Sequence, residues 1–381
     1  MNGEDLFRGL NYVNAKFIDE AETITQLKSE RISKKKLVIV SLAAAMLLAT
    51  LTGAAVFTRW SRSAQASFNP SQDIKEQAEN SGLSVMLEET EGAKTTNEIM
   101  SVTDNGITIT AVQSIVDNYQ ARITFRIEGF DLPEDELPAV WPEVTIDGEA
   151  HFGGLQSGWF YNGLTTNEEG KTVYASNGQP VQSDEEGCLI LDFVADDGSL
   201  EYTHFISFEQ TDGRYMGKEI TFAFDSIDFQ SSEKAGMPIP QVEGKWELSW
   251  TLTGTESNIK ISPNVQIGDS DVVLLDAEIG QITLRTRYQL KDYWEGWDEL
   301  VELPQAICGV RMKDGTEHRC YPGSGGFEDE EKMIYYIDSR MMDAILDIRQ
   351  VESLMFPEDW IYDADGKIIG QTYYYIPVSA N

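Results

Sequence analysis

Apolar positions along this chain follow three periods, and each predicts a different structure. From Leu6 to Leu27 they recur at steps of three or four. Leu6, Leu10, Val13, Phe17, Ala21, Ile24 and Leu27 would line one side of a helix, with Asp5, Asn14, Asp19, Glu22 and Lys28 elsewhere. From Leu37 to Phe57 there is no period, because twenty-one residues pass without a charge. A helix rising about 1.5 Å per residue would carry that run across about 30 Å of hydrocarbon. After residue 100 the period is two. Ile107, Ile109 and Ala111 alternate with polar residues, as do Ala121, Ile123, Phe125 and Ile127, the pattern of half-buried antiparallel strands.

Further strands are expected at Glu143 to Ile146, Cys188 to Val194, Tyr202 to Phe208, Ile220 to Phe224 and Trp246 to Leu252, which makes residues 100–254 one β-sandwich. A second set runs from Ile259 to Ile376 and includes Ile282 to Tyr288, Gln305 to Met312, Glu317 to Tyr321 and Ala344 to Val351, so residues 255–381 form a second β domain. Residues 59–99 are mostly polar and broken by Asn69-Pro70 and Ser81-Gly82. They read as a stalk with a short helical stretch around Asp73 to Glu79.

Charge orients this arrangement. Lys34, Lys35 and Lys36 abut the start of the apolar run, with Arg31 and Lys28 behind them, while Arg59 and Arg62 alone follow it before Lys75. The bias places residues 1–36 in the cytoplasm, residues 37–58 in the lipid bilayer and the bulk outside. Ala64-Gln65-Ala66 has the small residues of a signal-peptide cleavage site. The thirty-six-residue leader, the long run, and Arg59, Trp60 and Arg62 before that site point instead to a retained anchor. Residues 1–62 hold six carboxylates and nine basic side chains, which leaves 58 acidic against 20 basic beyond them. A portion so negative repels nucleic acid, and no nucleic-acid partner is expected. The leader's six acidic residues also disfavour the inner membrane surface, where interfacial helices are basic on their polar face, so its apolar stripe calls for a groove on a protein.

Candidate chemistry is sparse. His151, His204 and His318 lie far apart and show no metal-ligand spacing, and Ser157 and Ser324 read as loop residues without the strand-elbow-helix setting of a hydrolase nucleophile. Asp363-Ala364-Asp365-Gly366 reads as a turn rather than a calcium loop, whose remaining ligands are missing. Catalytic residues, metal ligands and cofactors are all assigned as none. The aromatic groups Trp159-Phe160-Tyr161, Tyr293-Trp294 with Trp297, and Tyr373-Tyr374-Tyr375 suit core packing or a binding surface, with Tyr374 facing opposite to its neighbours. Of three cysteines, Cys308 and Cys320 flank a hairpin turn at Lys313-Asp314-Gly315. A three-residue loop with Gly315 as the bulge sets them directly opposite, where a disulfide or two buried thiols fit equally. A two-residue loop sets them on opposite faces. Cys188 is left over as a small buried hydrophobe.

The leader DLFRGLNYVNAKFIDEAE, the lysine-flanked span, DNGITITAVQSIVDNYQARITFRIEG, GKWELSWTL and YDADGKIIGQ together resemble a family of bacterial membrane proteins. Its members carry an uncharacterised ectodomain domain followed by an immunoglobulin-like one. They are often encoded beside extracytoplasmic-function sigma factors and are regarded as anti-sigma-factor-like. The resemblance implies an all-β ectodomain of two tandem β-sandwich, immunoglobulin-like domains, preceded by an amphipathic helix and one transmembrane helix. It also implies that Leu6, Leu10, Val13, Phe17 and Ile24 hold a cytoplasmic sigma factor or other regulator. This chain lacks the histidine and cysteine zinc motif of the better-known anti-sigma class.

Overall fold

The structure, a computed structural model, describes residues 60–87, 98–133, 136–150, 155–167, 171–184, 187–208, 214–231, 239–290, 306–341, 344–363 and 367–378. The leader with Leu6, Leu10, Val13, Phe17 and Ile24, the span at 37–58, His151, the group Tyr293, Trp294 and Trp297, and the turn at 364–366 lie outside the described residues. Among the described residues no helix is long and apolar enough to cross a membrane.

Two short helices, α1 (Arg62–Phe68) and α2 (Gln72–Asn80), precede the strands. The first group comprises β1 (Ser84–Met86), β2 (Ser101–Asp104), β3 (Ile107–Val116), β4 (Gln120–Glu128), β5 (Glu136–Ala139), β6 (Glu143–Ile146), β7 (Gln156–Phe160), β8 (Leu164–Thr166), β9 (Thr172–Tyr174), β10 (Leu200–Ser207), β11 (Glu219–Ser231) and β12 (Ile239–Thr251). The second comprises β13 (Ile259–Ile261), β14 (Val265–Gln266), β15 (Val272–Ile279), β16 (Thr283–Leu290), β17 (Gly309–Met312), β18 (Glu317–Asp329), β19 (Ile334–Met341), β20 (Val351–Tyr362) and β21 (Ile368–Pro377).

In the first group, a sheet ordered β1-β3-β4-β10-β7, with β2 beside β3, faces a sheet ordered β12-β11-β5, with β6 beside β11. One apolar core fills the space between them, built by the alternation that the sequence displays. Ile107, Ile109 and Ala111 of β3 and Ala121, Ile123, Phe125 and Ile127 of β4 point into it, all nearly or wholly buried. Aromatic rings bind the two layers: Phe125 meets Phe222 edge to face at 4.8 Å and Phe224 at 5.2 Å. The indole N–H of Trp246 reaches from β12 to the carbonyl of Ile107, so this buried ring leaves no orphan donor.

The second group forms one sheet ordered β13-β15-β16-β19-β18-β17-β20-β21 rather than two. Strand β18 turns it back on itself, since its start pairs with β17 and its remaining length with β19. Side chains from both halves then share a second core, among them Leu274, Leu284 and Tyr288 on one side and Val310, Leu354 and Phe356 on the other. The described residues are thus mostly β, with two short helices and one 3₁₀ turn.

Several expectations are corrected. Residues 59–99 are expected as a stalk, yet α1 and α2 pack against Ile115 of β3 and against Ile282 and Ile345 of the second group in a third cluster with Trp60, Ala64, Phe68, Ala78 and Leu83. The segment at Cys188 to Val194 alternates like a strand, yet makes only isolated bridges, and Leu189, Ile190 and Val194 are exposed. Local turns consume its backbone groups, as when Ile190 N–H donates to Gln182 and Cys188 N–H to Asp184. Residues 344–346 of the expected strand Ala344 to Val351 are a buried crossing, followed by a 3₁₀ turn at Ile348–Gln350 that Asp347 caps. Ser157 and Ser324 lie on β7 and β18, not in loops.

Candidate functional site: the helical insert at the seam

The first sheet has a second face, and sequence alternation hides what it does. Even positions of β10 (Leu200, Tyr202, Ile206) enter the core, while Glu201, Thr203 and Phe205 point the other way, yet all eight residues are buried. Polar side chains in that outward row would ordinarily meet water. Here they meet the start of the insert. Ser61 N–H donates to Gln113 Oε1 at 3.0 Å, the Ser61 hydroxyl lies 3.4 Å from Thr124, and Thr203 donates to Ser63 at 2.8 Å. The carboxylate of Glu201 receives the N–H groups of Arg62 at 3.0 Å and Ser63 at 2.8 Å. Those are first-turn donors that α1 cannot satisfy internally, and a negative charge suits that end of a helix. Burial raises the Glu201 carboxyl above its ordinary range, with the two N–H bonds opposing the shift.

The insert is held from its own side as well. Ser61 caps α1 by accepting from Ala64 N–H, Trp60 donates its indole N–H to Glu79 at 2.8 Å, and Gln113 donates onward to Ser84. Small residues at Ala64 and Ala78 let the helices approach the sheets closely. Three contacts then tie the insert and the β3–β4 turn to the second group of strands. Ser81 donates to Gln281 at 2.8 Å, Gln77 to the carbonyl of Leu346 at 3.3 Å, and Gln120 to the carbonyl of Ile282 at 3.1 Å.

Beside these contacts sits a cluster of buried charge. Asp117 closes the β3–β4 turn by accepting from Tyr119 and Gln120 N–H, and its other oxygen, Oδ2, has no hydrogen-bond partner. Asp338 on β19 pairs with Arg285 at 3.6 Å and leaves Oδ1 without one. Burial pushes both carboxyls up to about 6. Arg122 is lowered to about 10, by burial first and by Arg340 second. Each arginine lies over a ring: Arg122 over Phe68 at 4.5 Å, Arg285 over Tyr336 at 4.3 Å and Arg340 over Phe205 at 5.1 Å. Tyr119 donates to Glu278, and its phenol is shifted up by burial and by that bond. A proton gained or lost here changes the balance among groups that join the two strand groups. A cleft of about 470 Å³ opens between α2 and the β17–β18 hairpin, with Phe68, Ile74, Met312 and Ile345 along its apolar wall and Asp73 and Asp314 among its polar lining.

Of the remaining sequence candidates, His318 lines that cleft and Ser324 sits opposite Asp338 on the neighbouring strand. The β17–β18 hairpin has the three-residue loop, with Met312 N–H bonded to Thr316 and Gly315 at φ +89°. Its register brings Cys308 and Cys320 together, and Cys320 N–H donates to Cys308 at 3.0 Å. Both thiols are free in the structure and turned to separate carbonyls, Cys308 to Met355 and Cys320 to Ile307. Cys188, expected to be buried, is exposed because the segment that carries it has no covering layer. His204 is buried between Tyr202 and Gln156, and burial holds it down at about 4. Tyr373 and Tyr375 stand under Arg319 and Arg311, whereas Tyr374 sits on the opposite side near Gly268. Among the described residues no group of three His, Cys, Asp or Glu side chains is placed to hold a metal ion. Glu201, Asp117, Arg285, Asp338 and Arg340 were not singled out from sequence. A charge on the outward row of an alternating strand looks solvated until the layer over it is known.

No family model matches the chain, and no curated protein does. A crystal structure of a conserved domain protein from Bacillus anthracis is similar at 11% identity with a TM-score of 0.42, covering 77% of this chain and 95% of that one. So distant a likeness carries no conclusion about fold or function.

Proposed function

We propose that this chain is a single-pass membrane regulator of the anti-sigma-factor type. Its leader binds a cytoplasmic sigma factor or other regulator through Leu6, Leu10, Val13, Phe17 and Ile24. Its apolar run at 37–58 anchors it in the bilayer, and its β-rich portion, two tandem immunoglobulin-like domains in this reading, responds to a ligand or envelope state outside. One observation carries most of the weight: Phe57 ends the uncharged run, and Trp60 is already buried in the seam cluster. Only Thr58 and Arg59 separate Phe57 from Trp60 in sequence. A change at the seam therefore has a short covalent route to the anchor. Ala64, in the cleavage-site-like triplet, lies inside α1 and is buried, which supports a retained anchor.

The test is to capture the full-length chain from membranes and identify what accompanies it. Leu10→Asp with Phe17→Asp should lose a cytoplasmic partner that the parent chain retains, and recovery of no cytoplasmic protein by either would refute the reading. A second reading, a membrane-anchored surface module for wall glycan or a protein, draws on Trp141, Trp159 and Trp360, all exposed. Deleting residues 2–30 separates the two, because a pure binding module would keep its activity.

A further inference from the structure

The sheet of the second group ends on β21, which among the described residues pairs with β20 and with no other strand. The outer strand of an antiparallel ladder turns half of its N–H and C=O groups away from its neighbour, and proteins usually guard such an edge with charges or keep it short. Among the described residues this one has no charge on it, although register shifts at Pro357/Trp360 and Ile361/Tyr362 bend the ladder and leave Ile369 as a bulge residue. The ten residues of β21, IIGQTYYYIP, include no charged side chain, in a chain of net charge -35.

The outer half of the hairpin is also apolar on its surface. Ile368 and Ile369 of β21 are 49% and 62% exposed, and Trp360 and Ile361 of β20 are 53% and 43% exposed. The register sets Trp360 opposite Gln371 and Ile361 opposite Gly370, so these consecutive side chains put apolar surface on both faces of one stretch of ladder. Large apolar side chains grouped around an open edge mark an interaction surface rather than scattered exposure.

Charge narrows the occupant. Residues 351–378 hold five carboxylates against the single Lys367, and Glu358 and Asp359 are exposed beside Trp360. A second copy would bring the same negative charge to the same place, which disfavours self-pairing. We propose that the free edge of β21 docks an extended segment of a basic partner protein, which adds to the sheet as a further strand. Backbone bonds along the edge would supply affinity, Ile368 and Ile369 would seat alternate apolar side chains, and the flanking carboxylates would select for lysine or arginine.

The probe is a fluorescent ten-residue peptide of alternating lysine and valine, added to the purified full-length protein in detergent micelles. Binding is read by anisotropy and its location by hydrogen exchange. The expected result is slowed exchange in β21. Affinity should fall about tenfold or more for Ile369→Lys, which places a like charge at the edge. The exposed position should leave the melting temperature of that variant unchanged, and Ile369→Thr, which keeps strand propensity, should lose less. A peptide of the same composition with a central proline cannot complete the ladder and should not protect β21. Equal binding of the proline peptide, protection elsewhere, no binding, or a dimer that Ile369→Lys dissolves would each overturn the proposal. Peptide binding to the purified chain is independent of whether the leader holds a regulator.

Discussion

The Ser63 N–H donates to the Glu201 carboxylate at 2.8 Å, across 138 residues of sequence, and fixes the first turn of the insert onto β10, which lies between β4 and β7 in the first sheet. Because Arg62 N–H shares the same carboxylate, one side chain satisfies two donors that would otherwise be buried and unpaired.

Replacement Glu201→Gln keeps the shape but removes the charge and one acceptor. A loss of about 1–3 kcal/mol is expected, in the range for a buried donor left unpaired. Hydrogen exchange should rise first across 61–66 while β4 remains protected. Uniform acceleration over both sheets would show instead that the insert is not a separate unit of stability.

Asp117 and Asp338 both titrate near 6 in the folded protein, because burial penalises their charged forms. Unfolded carboxyls titrate near 4, so the folded chain holds these protons more tightly. Their contribution to stability is full below about pH 4 and is lost as pH rises through about 6. Other carboxylates contribute with their own signs, so the useful quantity is the difference between parent and the double variant Asp117→Asn with Asp338→Asn. Denaturant titrations should show the parent gaining on the variant by on the order of a few kcal/mol between pH 7.5 and pH 4.5. A difference independent of pH would contradict the assignment.

The three thiols should separate by reactivity. Cys188 is exposed, Cys308 half-buried, and Cys320 buried with its thiol pushed up by burial. Iodoacetamide at pH 8 should label Cys188 at once, Cys308 slowly and Cys320 only in denaturant. A peptide that joins residues 308 and 320 and resists alkylation until reduced would show that the cross-strand pair is oxidised.

Trp246→Phe removes the donor to the Ile107 carbonyl and part of the ring between the two sheets. A cost of about 2–4 kcal/mol is expected, from the orphaned carbonyl plus the space left behind. A melting temperature within a degree of the parent would show that the second sheet does not close on the first through this ring.

The cores were readable because each strand buries one face in a layer of its own kind. Ile107, Ile109, Ile123, Phe125 and Ile127 could be named from alternation alone, whereas the sequence left a two- and a three-residue loop open between Cys308 and Cys320, and the Met312–Thr316 bond decides for three. The helical stretch around Asp73 to Glu79 was readable and is α2, but the packing of the insert was not, for the same physical reason in reverse. The hydroxyls of Ser61, Ser63 and Ser81 meet the polar side chains of Thr124, Thr203 and Gln281, and a polar segment with a polar partner has the composition of a linker. The segment at Cys188 to Val194 failed differently. Period two describes a chain able to be a strand, and a strand also needs a neighbour, which Leu189 and Ile190 lack along most of their length.

The exposed thiol of Cys188 provides the most direct test of the membrane topology on which the proposed function rests. Intact cells expressing the full-length chain would be treated with a membrane-impermeant maleimide, and the label mapped by peptide mass. Labelling of Cys188 before lysis, on a chain that remains in the membrane fraction with its leader attached, is the predicted result. Labelling only after lysis would place the β-rich portion inside the cell, and a labelled chain free in the medium without its leader would remove the anchor.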